Sequence, residues 1–181
     1  MEETHFISNH EITKEHTEFR EKVKKDLLFR VFRELAAMKG NPRSQIFVAH
    51  GFLELLIHTI IKAKAKNGRK ISKDSRTYSY AVQLVVLNEM GELSDDDFKI
   101  YEWFRKLRNT AAHEPLFQLS TDDLQNLNDG FRNVEDFHAV CQDLMLRLWN
   151  KNTEILLPIF VPSLAEKTKQ KGNNDASLPS P

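Results

Sequence analysis

The chain has 181 residues, 40% of them hydrophobic, which suffices for one good core, so a single domain with tails is the expected count. Lys plus Arg and Asp plus Glu number 26 each; this leaves no global field to draw in nucleic acid or a membrane, argues against a nonspecific DNA or RNA coat protein, and keeps a local basic cleft open. The one cysteine, Cys141, excludes an intramolecular disulfide and a Cys-based zinc cluster, and with no apolar run read as a leader or a bilayer span, a soluble cytoplasmic protein is expected.

Residues 1–9 read as a flexible N-terminus, 10–164 as one helical domain and 165–181 as a disordered tail. Between about 10 and 39, Ile12, Phe19, Val23, Leu27, Val31, Leu35 and Met38 recur at steps of three, four or seven, which predicts one long amphipathic helix stopped by Gly40. Asn41 suits the cap of a second helix over about 42–66, and Pro42 suits its first turn. Ile46, Phe47, Leu53, Leu56, Ile57, Ile60 and Ile61 surround most of that helix, so it should run through the centre. Lys62 to Lys73 reads as a loop of solvated charges.

A third helix, about 77–90, should bury Tyr80 or Ala81, Leu84, Val85 and Leu87 and end at Gly91. The fourth opens with Ser94 and Asp97 at capping-box spacing, turns Phe98, Tyr101, Phe104 and Leu107 to the core, and ends at Glu114-Pro115. A fifth, starting at Ser120, carries one apolar stripe from Leu124 to Leu148 over about eight turns. Two prolines in Ile155 to Pro162 predict an extended C-terminal arm instead of a helix. The fold class is therefore all-α: an antiparallel bundle of about five helices. There is no internal repeat, Gly-rich phosphate loop or strand–helix alternation, and no helix-turn-helix pattern, so sequence-specific DNA binding is not expected.

The run Arg105-Lys106-Leu107-Arg108-Asn109-Thr110-Ala111-Ala112-His113 concentrates phosphate-handling groups near a helix end. Arg108 offers a permanent planar cation, and His113 a proton acceptor or donor near neutral pH. Asn109 and His113 are four apart and share a helical face, while Arg108 sits to one side. A structural reading competes: Arg snorkels over apolar neighbours, Asn ends helices and His bonds carbonyls. His50, Glu54 and His58 line one side of the second helix at spacings of four; they form a metal-capable trio or, more simply, a polar stripe.

Arg, a polar residue, three free positions and His is the mark of the HEPN superfamily, which this chain resembles over about residues 41–131. The segment Leu87-Asn88-Glu89-Met90-Gly91-Glu92-Leu93-Ser94 leading into the motif helix is similar to the mannitol-operon-repressor branch. So is Arg43 followed by Ala49-His50-Gly51-Phe52-Leu53-Glu54-Leu55-Leu56. The resemblance implies a HEPN-like bundle in which Glu54 orients Arg108 or His113, although Glu54 could equally satisfy Arg43 or a backbone group.

Two functions follow from it. One is a regulatory module that works through a protein partner. The other is a metal-independent endoribonuclease with Arg108, Asn109, His113 and Glu54 as site residues, whose homodimer supplies a second His113. Neither invokes a cofactor or a metal. Pro115 stands where many HEPN toxins carry an aromatic, which weighs against toxin-type activity.

Overall fold

The computed structural model describes residues 26–124, 127 and 133–165, and all regular structure among them is helical. The chain divides into two compact units, residues 31–156 and a unit combining the chain up to Arg30 with Leu157 onward. The helices are α1 (Leu27–Ala37), α2 (Pro42–Lys64), α3 (Gly68–Lys73), α4 (Tyr80–Glu89), α5 (Asp95–His113), α6 (Thr121–Leu124), α7 (Phe137–Lys151) and α8 (Thr153–Phe160). Of the long helix expected over 10–39, the part before residue 26 lies outside the described residues. The same is true of the flexible N-terminus at 1–9 and of the tail from 166 on.

The larger unit is organised around α2. The chain turns at Gly40 (φ 89°), and Asn41 caps α2 by accepting the Ser44 N–H at 3.1 Å, with Pro42 opening the first turn where a missing N–H costs nothing. Leu53, Leu56, Ile57, Ile60, Ile61 and Ile46 are fully buried, each contributing about 1.5–3 kcal/mol of burial free energy. Phe47 departs from the expected pattern: it is 39% exposed, on the face of α2 that also carries Leu55. Against the expectation that no run is long enough to span a bilayer, α2 is by length and composition apolar enough to cross a membrane; half of that window is buried inside the protein.

Four other helices pack on α2: α3, α4, α5 and α7. Arg43 at the start of α2 donates to the Pro115 carbonyl beyond the end of α5 (3.1 Å), while Lys64 at the end of α2 pairs with Glu92 ahead of α5 (2.8 Å), so α2 and α5 are antiparallel. The buried Tyr101 hydroxyl donates to the Leu144 carbonyl (2.8 Å) and Arg147 faces Asp97 (3.5 Å), which sets α5 and α7 antiparallel as well. Gln45 meets His138 at 3.4 Å, so α7 starts beside the start of α2 and runs parallel to it.

The α4–α5 corner closes at Gly91 (φ 70°). Its N–H reaches the Asn88 carbonyl at 2.9 Å and the Glu92 N–H reaches Leu87 at 2.8 Å, the paired bonds of a Schellman turn. Val85, expected inside, is 46% exposed, whereas Tyr80, Leu84 and Leu87 are buried.

Three of the expected elements differ from the structure. Residues 68–73 are a short helix and not a solvated loop: Ile71 is buried, and Gly68 lets α3 approach so closely that a Cβ there would lie 2.2 Å from the Ile61 carbonyl oxygen. The single helix expected from Ser120 is interrupted. Ser120 and Asp123 do exchange capping bonds at 2.8 and 3.3 Å, but Asn133 is extended and α7 restarts only after a 3₁₀ turn, Val134–Asp136. A stripe of apolar spacing survived across a stretch that also holds Asn126, Asn128, Asp129 and Gly130, all turn formers.

The expected extended arm is instead α8, with Pro158 inside it. The bond that Pro158 cannot make belongs to Glu154, an exposed residue whose carbonyl can turn to water. In the smaller unit, Asp26 is buried and accepts from the Ser163 hydroxyl, and 162–165 form a final helical turn.

Candidate functional site

The motif helix α5 is positioned from both ends. Ser94 caps it by accepting the Asp97 N–H at 3.1 Å, and Asp95, Asp96 and Asp97 place negative charge in the first turn where the helix dipole favours it. Tyr101, Phe104, Leu107 and Ala111 form its buried stripe. Their spacing leaves Arg105, Arg108 and Asn109 on the flanks, half-buried, and brings His113 out as the last helical residue, exposed to solvent. The helix ends as the Glu114 N–H bonds the Thr110 carbonyl (2.9 Å) and Glu114 turns extended ahead of Pro115.

Arg108 is engaged on two sides. Its guanidinium carbon lies 5.8 Å from the centroid of the Phe47 ring on α2, within cation–π range, and Nη1 donates to Asn109 Oδ1 at 3.3 Å. Its neighbour Arg105 grips Glu102 through three hydrogen bonds between 2.5 and 3.1 Å, an ion pair that raises the arginine's affinity for its proton. Arg108 and Asn109 are thus brought together and His113 stands one turn beyond Asn109. Glu54 is exposed on α2, and no hydrogen bond joins it to Arg108, to His113 or to Arg43, whose guanidinium goes to Pro115. Its charge is felt at Tyr80, which links it to the same region of the unit.

His50 is a group of α2 on which the motif's arginines act. It is 7% exposed, with its ring 4.5 Å from Tyr80 and 6.4 Å from Phe104. Burial, followed by the Arg108 and Arg105 cations, depresses its pKa to about 4, so near neutral pH it is an uncharged imidazole. Tyr80 is pushed the other way, above the usual phenol range, by burial and then by the Glu54 and Glu102 carboxylates. Arg105 acts on both rings and opposes the rise at Tyr80, whereas Arg108 acts on His50 and the two carboxylates on Tyr80.

Sequence reasoning grouped His50 with Glu54 and His58 because of their spacing of four. A different spacing carried the better signal: His50 follows Ile46 by four and precedes Leu53 by three, which places it on the buried stripe. Among the described residues no three His, Cys, Asp or Glu side chains gather as a metal site.

The arrangement offers one half-buried cation on an aromatic ring, an exposed imidazole at a helix end and a neutral buried imidazole below them. This set can hold an acceptor-rich group and move a proton at His113. The chain matches no family model, no curated protein and no solved structure.

Proposed function

We propose that the chain is a HEPN-type helical domain, similar to the mannitol-repressor branch, that acts as a regulatory module by docking a protein partner on its motif face. The observation that supports this reading is how Arg108 is used. Its guanidinium is engaged by Phe47 and Asn109, and large apolar side chains are exposed on α2, Phe47 at 39% and Leu55 at 40%, and just past the motif, Leu116 at 90%. An arginine over a half-exposed aromatic ring is a pairing that protein interface centres enrich. The test pairs the purified protein with the products of its neighbouring genes. Phe47→Glu and Leu116→Asp should each abolish a complex that wild type forms, and Leu116→Asp should do so with the melting temperature nearly unchanged because its side chain is 90% exposed.

The second reading is a metal-independent endoribonuclease, favoured by the exposure of His113 one turn after Asn109. A homodimer would bring two His113 imidazoles to one phosphodiester, one taking the 2′-hydroxyl proton and one protonating the leaving oxygen, with Arg108 facing the developing charge. Under this reading single-stranded RNA is cleaved in EDTA to 2′,3′-cyclic phosphate ends, and His113→Ala abolishes cleavage while leaving the fold intact. An RNA panel left whole by the wild-type protein removes the nuclease reading and leaves the docking one.

A further inference from the structure

The chain's charge is balanced as a whole and lopsided in one place. Residues 62–76 hold seven cations, Lys62, Lys64, Lys66, Arg69, Lys70, Lys73 and Arg76, against one anion, Asp74; since the full chain has 26 of each sign, everything outside this stretch is net −6. All seven cations are exposed. Among the described residues only Lys64 has an ion-pair partner, Glu92. Helix-end electrostatics account for part of the stretch, because Lys62 and Lys64 sit in the last turn of α2 and Lys70 and Lys73 in that of α3. They do not account for Lys66, Arg69 and Arg76. Within α3, the like charges Arg69 and Lys73, and Lys70 and Lys73, are four and three residues apart, spacings that work against helix stability.

Within the stretch, α3 is anchored to α2. The buried side of α3 is Gly68 and Ile71, locked to the end of α2 by the near-contact of Gly68 with the Ile61 and Lys62 backbone. Arg69, Lys70 and Lys73 then project from the opposite side of α3, and Lys62 and Lys66 flank them at the α2–α3 corner. Their backbones are fixed, so ordering the cluster on a ligand costs only side-chain freedom.

We infer that this corner of α2 and α3 is a sequence-independent binding surface for the sugar–phosphate backbone of a nucleic acid, separate from the motif face. A row of Lys and Arg on a folded platform is what neutralises successive phosphates and releases their counterions. An anionic membrane would also attract the charge, but a surface that inserts into lipid carries exposed aromatic or aliphatic side chains between its cations. Here the one large apolar residue of 62–76, Ile71, is turned inward at 9% exposure, and the rest are Ala, Asn, Ser, Gly, Asp and Arg or Lys.

The inference does not rest on either reading of the motif. It is tested by fluorescence anisotropy of labelled 20-nucleotide single-stranded RNA and a 20-base-pair DNA duplex, over a series of NaCl concentrations, using the full chain in EDTA. Wild type should bind at least one of the two. Each phosphate neutralised should contribute about 0.7 (single strand) or about 0.9 (duplex) to the slope of log affinity against log salt. The variant Lys66→Glu/Arg69→Glu/Lys70→Glu should weaken binding at least tenfold with an unchanged circular dichroism spectrum and melting temperature. Lys99→Glu, a charge reversal at an exposed lysine of α5 away from this corner, should retain it. The proposal is overturned if the triple variant binds as wild type does, if Lys99→Glu weakens binding as much as the triple variant, or if wild type ignores both oligonucleotides. Co-sedimentation with phosphatidylserine vesicles in the last case would assign the surface to a membrane.

Discussion

Protonating His50 in the folded chain puts a charge against Tyr80 and Phe104 and beside the Arg108 and Arg105 cations, so the proton is better accommodated once the chain unfolds. The folded pKa of about 4 lies below the ordinary 6.5, and the unfolded chain takes the proton first as pH falls. The stability owed to the neutral ring is complete above pH 6.5 and is lost between 6.5 and 4, by up to about 3 kcal/mol at 1.36 kcal/mol per pH unit. Urea titrations at pH 7 and pH 4.5 should show this loss for wild type and a clearly smaller one for His50→Gln, which keeps a polar group without a titrating one. Equal losses in the two proteins would mean that His50 is not the group responsible. The placement of the motif was legible in the sequence: of the stripe read there, Tyr101, Phe104 and Leu107 are buried, and that sets Arg108 and Asn109 together on α5 with His113 at its end. The engagement of Arg108 by Phe47 was not legible. It depends on how α2 and α5 face one another, and an apolar residue's spacing does not say whether it caps the core or carries a cation.

At the scale of the elements, what could be read were the ends marked by specific side chains: Asn41, Gly91, Ser94 and Ser120 each make the bonds their positions predict. What could not be read were elements decided by long-range packing against local propensity. Pro158 argues against α8 and the run of lysines argues against α3, yet α3 forms because Ile71 and Gly68 find α2. The two glycines nearest α2's exposed and buried surroundings should therefore respond in opposite directions. Gly68→Ala drives a Cβ into backbone atoms of Ile61 and Lys62, at 2.2 and 2.8 Å, which cannot swing aside as a side chain would, and should cost about 1–3 kcal/mol. Gly51→Ala, inside α2 with no heavy atom within 4 Å of the added Cβ, should stabilise by about 1 kcal/mol through helix propensity. Thermal melts of the two variants check both signs at once, and a stabilising Gly68→Ala would show that α3 is not packed as described.

For the molecule as a whole, α2 divides a buried side from an exposed one, and neighbouring apolar residues on it make the division measurable. Ile57 is fully buried, and Ile57→Ala should cost about 2–5 kcal/mol from lost burial and the cavity left among Leu53, Ile60 and Ile61. Leu55, two residues earlier and 40% exposed, should cost under about 0.5 kcal/mol as Leu55→Ala if the 31–156 unit is stable as a single copy. The homodimer required by the nuclease reading changes that expectation only if it uses this face of α2, because a partner covering Leu55 turns it into a core residue. Stability would then rise with protein concentration, since anything that binds the folded state alone stabilises it by mass action. Denaturation midpoints of wild type, Ile57→Ala and Leu55→Ala, each at about 1 and about 100 μM protein, separate the two cases. A large loss for Ile57→Ala, a small one for Leu55→Ala and no concentration dependence leave this face of α2 open to a different partner. A Leu55→Ala loss that grows with concentration places a second copy of the chain there.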